Sequence, residues 1–171
     1  MSLTVSNVIK PVIQQYLGSL SHLLNEAKAF CEEKGIEEQA LLQDRLAPDM
    51  HPLIWQFQMV SEFSARCAAR LADVAIPEYP FEENSFDELQ QRIQKIQDFV
   101  STLDNEALDA GLQRNQQVPL PSGDKLEFRG PIYLSHFFMP NFFFHITTAY
   151  NILRKNGLAL GKLDFIGQMP Q

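Results

Sequence analysis

One histidine lies where a side chain could do chemistry inside a helical protein. Phe138, Phe142, His145, Ala149 and Ile152 follow one another at intervals of 4, 3, 4 and 3, the spacing of a single inward-facing helix line. An imidazole in such a line can ligate a metal ion, act as a general base, or sit neutral in the core. The neutral role is the default, and it requires a partner for each ring nitrogen, since an unsatisfied one costs roughly 1–3 kcal/mol. No nucleophile at a specific spacing accompanies His145, so base catalysis has no companion in the sequence.

The other reactive side chains are less well placed. His136 precedes His145 by nine residues; at about 100° per residue the two occupy opposite sides of an unbroken helix, unless Pro140 reorients the earlier turn. His51 is expected in the first turn of the second long helix, exposed or capping, yet able to reach the end of the bundle that holds the site. His22 lies beside the first helix's apolar seam and is expected to be solvated. Cys31 and Cys67 fall on apolar seams and behave as small core residues, because nothing nearby supplies the electropositive setting that a reactive thiolate needs. The Gly-Lys of "GLALGKL" lacks the spacing and the Ser/Thr of a phosphate loop.

Helices must position these groups. Ile13, Leu17, Leu20, Leu24, Ala27 and Cys31 form the first seam, within a helix from Val12 to Lys34 with Pro11 in its first turn, a further turn over residues 3 to 10, and Gly35 as its stop. Leu53, Phe57, Val60, Ser64, Cys67, Leu71 and Val74 form the second, begun by an N-cap at Asp49. A short helical turn is expected between them. "IPEYPFEEN" is a proline-rich connection without periodicity, and "SFDE" is a capping box that opens a third seam through Phe86, Leu89, Ile93, Ile96, Val100 and Leu103. Val118, Leu120, Leu126 and Phe128 alternate around a Pro-Ser-Gly-Asp turn, which predicts a hairpin. The last helix spans Pro131 to Asn156, with a break or kink at Pro140, and ends at Gly157. The apolar tail is expected to pack back on the body. The fold class is therefore all-α: a four-helix bundle with a short β-hairpin between helices three and four, one domain over residues 1–171.

Composition narrows the functions. The 171 residues include 14 Lys and Arg against 21 Asp and Glu, for a net charge of −7, which argues against nucleic-acid binding. No apolar run approaches the length of a membrane span and the N-terminus has no secretory pattern, so a cytoplasmic protein is expected. The two cysteines fit a reduced compartment.

"RLAPDMHPLIWQFQ" and "PNFFFHITTAYNILRKNGLALGK", with the order of helices and hairpin, resemble the bacterial family DUF1993 within the DinB-like superfamily. The resemblance implies a divalent metal held between a histidine on helix two and an H-x-x-x-H pair on helix four. His145, Arg154 and Gly157 reproduce the spacing that follows the second histidine of that pair. The first falls on Asn141, and the helix-two position on Gln58 or alternatively Gln56. Two of three ligands are thus amides, poor donors to zinc-like ions. Glu62, four residues after Gln58, adds a carboxylate that would suit a harder ion such as magnesium or calcium.

Two readings follow. In one, His145, Asn141, Gln58, Glu62 and His51 form a degenerate metal or small-ligand pocket. In the other, Asn141, Gln58, Thr148 or Glu62 satisfies His145 by hydrogen bonding, and the protein is a non-catalytic interaction bundle. Phe142, Phe143 and Phe144 span about 200° of helix, more than one bundle face needs, so either the tail covers the excess or a second copy does, as a homodimer.

Overall fold

The computed structural model describes residues 4–170. Helix α1 (Val5–Lys34) starts at Thr4, whose hydroxyl accepts from the amide of Asn7, and stops at Gly35, which takes the left-handed φ of 64°. Every residue of its expected seam is buried. It begins at Val5, ahead of Val12, so Pro11 lies inside the helix and not in its first turn. The expected turn over residues 3 to 10 is met from Val5 onward, with Leu3 outside the described residues.

After the short α2 (Glu38–Leu42), helix α3 runs Leu53–Ala72. Its N-cap is Pro52 and not Asp49. The reason is local: a residue preceding proline is pushed out of the helical region, so the helix cannot extend back through His51. His51 therefore stands outside the first turn. At the other end Asp73 turns left-handed with φ 59°, leaving Val74 beyond the helix and exposed.

Helix α4 (Phe86–Thr102) opens on Ser85, which accepts from the amide of Glu88 at 3.2 Å. The Glu88 carboxylate reaches back to the amide of Asn84, one residue before the cap expected to receive it. A short α5 (Asn105–Ala110) and a 3₁₀ turn lead into β1 (Asn115–Pro119) and β2 (Lys125–Arg129), antiparallel with Asn115 opposite Arg129. At Gly111 of that turn a Cβ would collide with the Leu71 backbone, so the close approach to α3 requires glycine.

The last rod is continuous but irregular. It consists of α6 (Gly130–Ile132), a π-helical segment Tyr133–Phe138, and α7 (Met139–Lys155). The rod does not break at Pro140, which lies in the first turn of α7; the irregularity is the widened π-helical segment just before it, where the proline has no N–H to close a regular turn. Beyond Gly157, α8 (Lys162–Ile166) folds back onto α1. The long helices α1, α3, α4 and α7 form the bundle, with α3 packed most extensively on α7 and α4. Among the described residues no helix is long and apolar enough to cross a membrane.

Candidate functional site at the α3–α7 interface

Phe138, Phe142, Ala149 and Ile152 are fully buried, whereas His145 stands half-buried at the edge of their line, turned toward α3. Its Nδ1 lies 2.8 Å from Oε1 of Gln56. Gln56 is itself 2 % exposed and donates through Nε2 to the carbonyl of His51 at 3.0 Å. That bond commits the amide: Oε1 is left to accept, so the proton of His145 sits on Nδ1. Nε2 then carries a lone pair. No described residue bonds it, and it is not among the enclosed polar atoms.

The ring is stacked on Phe63 at 5.7 Å and meets the edge of Phe144 at 5.2 Å. Burial, and then the neighbouring His51, depress the His145 pKa to about 4. At neutral pH the imidazole is uncharged, and Nε2 can accept a hydrogen bond or a proton.

The other expected partners are engaged elsewhere. Asn141 donates to the carbonyl of Phe137 at 2.7 Å, and Thr148 to that of Phe144 at 2.7 Å. Gln58 donates to Glu83 at 2.8 Å. Glu62 accepts from Arg92 at 3.0 Å and from Nε of Arg66 at 2.5 Å. Arg92 also holds Glu83 at 2.8 Å with its side chain 2 % exposed. The structure thus divides the candidate set in two. His145, Gln56 and His51 meet at the end of α3, with Asn141 one turn away on α7. Gln58 and Glu62 belong to an ion-pair network with α4 and the proline-rich connection. A stack of rings joins the two groups: His51 on Trp55 at 4.6 Å, Trp55 on Phe81 at 5.2 Å, and the Arg92 guanidinium over Phe81 at 4.8 Å.

Sequence reasoning placed Gln56 only second and missed Arg92 and Glu83. Arg92 had a signal, because Leu89, Arg92 and Ile96 fall at 3 and 4 and so share the buried face. Glu83 had none. His22, expected to be solvated, has a side chain 43 % exposed, and its Nε2 also lies 2.8 Å from Asp164 of α8.

The implied metal can be tested against these donors. The donors at this end of α3 are the imidazoles of His145 and His51, while the Gln56 oxygen already accepts from His145 and the Glu62 carboxylate is occupied by two arginines. Among the described residues no three His, Cys, Asp or Glu side chains converge. The set does not fit a resident divalent ion.

A family model described as domain of unknown function (DUF1993) matches residues 6–166. A crystal structure described as a DinB family member from Shewanella denitrificans is similar over 97% of this chain and 96% of its own, at 29% identity and a TM-score of 0.87. No curated protein matches.

Proposed function

The chain belongs to the DUF1993 family, and from that premise we propose that the place where the resemblance implies a metal serves here as a small-ligand pocket. His145, fixed by Gln56 and flanked by His51 and Asn141, presents Nε2 as an acceptor to a neutral hydrogen-bond donor on the ligand. The observation that carries this reading is the Gln56 bridge between the His51 carbonyl and Nδ1, which leaves Nε2 unprotonated and open. Gln58 and Glu62 stand apart from it, in the Arg92 network. The free buried thiols of Cys31 and Cys67 favour a reducing, cytoplasmic setting.

The test combines two measurements on protein purified without an affinity tag. Elemental analysis should find less than stoichiometric metal. Long-range ¹⁵N spectra should show His145 as the Nδ1–H tautomer, and a phenol or alcohol fragment should perturb Nε2 in the native chain but nothing there in His145→Phe. Stoichiometric metal that disappears in His145→Ala would overturn the reading.

One observation favours a second role. Of the three consecutive phenylalanines, Phe142 is buried and Phe143 packs on Tyr16 of α1, but Phe144 is 56 % exposed. A homodimer through α7 would cover it. Light scattering that shows a dimer, converted to monomer by Phe144→Ser, supports this arrangement, and a monomeric native protein excludes it.

A further inference from the structure

A cleft of about 420 Å³ lies along the C-terminal half of α3, beneath the proline-rich connection. That volume suits a small molecule. Glu62, Arg66 and Arg70 project into it from one face of α3, at successive intervals of four residues. The opposite wall is apolar and partly exposed, with Ile76 at 38 % and Phe81 at 41 %. The wall is pinned in place: buried Arg92 donates to the carbonyls of Tyr79 at 3.3 Å and Pro80 at 3.0 Å.

The charges in the cleft are unevenly matched. Glu62 gives one oxygen to Arg66 and the other to Arg92, so its charge is consumed within the network. Arg66 offers only Nε to Glu62, which leaves its two terminal nitrogens without a described partner. Arg70 is half-buried, and its one described bond is a 3.4 Å donation to the neutral hydroxyl of Tyr133. Glu78, the other acid on the rim, is exposed and joins neither arginine. A partly desolvated guanidinium without a carboxylate, one turn from a second with spare donors, suits the paired oxygens of a planar oxyanion.

We propose that this cleft binds a small carboxylate with an apolar body, the carboxylate on Arg70 and Arg66 and the body against Ile76 and Phe81. This site is separate from the pocket at His145, and the proposal does not depend on that reading.

Benzoate is the probe, titrated into the full ¹⁵N-labelled chain, with benzyl alcohol and inorganic phosphate in parallel. Benzoate should shift the amides of residues 76–81 and of Arg66 and Arg70, and benzyl alcohol should not. Arg70→Gln should weaken benzoate by about tenfold or more, the loss expected for a charge-assisted pair. Arg70→Lys, which keeps the charge but loses the fork, should fall between. An unchanged spectrum elsewhere in each variant establishes that it is folded, and His145→Phe should bind benzoate as the native chain does. No shift up to the solubility limit of benzoate, equal binding to Arg70→Gln, or binding of phosphate without benzoate would each overturn the proposal.

Discussion

His145 shows how one hydrogen bond decides what an imidazole can be. Because Gln56 is anchored on the His51 carbonyl, the proton is fixed on Nδ1, and burial holds the ring neutral with a pKa near 4 against an ordinary 6.5. The linkage follows directly. Between those two values the unfolded chain binds a proton that the folded chain refuses, so the contribution to stability is intact above pH 6.5 and is lost as pH falls toward 4. The loss should amount to about 2 kcal/mol after allowance for the ring's partial exposure. Urea midpoints measured across this range should fall with pH in the native chain and flatten in His145→Gln; equal slopes would place the titration elsewhere. A second expectation concerns the lost ligands. Gln56 already meets His145, and Asn141 lies one turn away on the same rod, so Gln56→His combined with Asn141→His should bind zinc stoichiometrically by elemental analysis while the native chain does not. Failure to gain zinc would mean that α3 and α7 do not converge as described. The ambiguity between Gln56 and Gln58 in the sequence has a physical origin. Residues two apart point about 200° from each other on a helix, and which of them faces α7 is set by tertiary packing that no local pattern records.

The helical elements were legible where burial repeats at 3 and 4. The seams of α1, α3 and α4 lie in the core, Val74 at the end of the α3 seam excepted, and Phe138, Phe142, Ala149 and Ile152 do the same for the last rod. What could not be read was how polar residues are enclosed between elements. Arg92 sits on the buried face of α4, yet an arginine there suggests solvent until its partners are known, and those partners come from α3 and from a connection with no periodicity. The start of α3 was misplaced because a plausible cap at Asp49 competed with the restriction that Pro52 imposes on His51, and the restriction prevailed. The Arg92 network also makes a sharp prediction. Removing the guanidinium leaves Glu62, 8 % exposed, with Arg66 as its remaining described cation, and Glu83, 13 % exposed, with the Gln58 amide and no described cation. Arg92→Met should therefore cost roughly 3–5 kcal/mol, read as a fall in the urea midpoint. Adding Glu62→Gln and Glu83→Gln should recover part of the loss. No recovery would mean that Arg92 acts through packing on Phe81 and Tyr79 and not through charge.

Across the whole molecule, stability should be lowest where the tail closes onto the bundle. Helix α8 is five residues long, too short to stand alone in water, so α1 must supply what holds it. Ser19 donates to the carbonyls of Asp164 and Phe165 at 2.7 and 2.8 Å, Gln15 to that of Ile166 at 2.9 Å, and His22 meets the Asp164 carboxylate. Phe165 adds edge contacts to Tyr16 and Tyr150. None of the residues of α8 is fully buried, and Phe165 is the ring it packs on the body, so its detachment would uncover that contact and leave the four-helix core in place. Such a segment opens locally, with a free energy well below that of global unfolding. Amides of α8 should then exchange with solvent far faster than those around Leu17, Leu20 and Phe57 in the core. Ser19→Ala and His22→Ala should accelerate α8 exchange further without moving the core rates. Were the core to accelerate in step with α8, the tail would be part of the cooperative unit, and its few polar tethers would be carrying stability for the entire bundle.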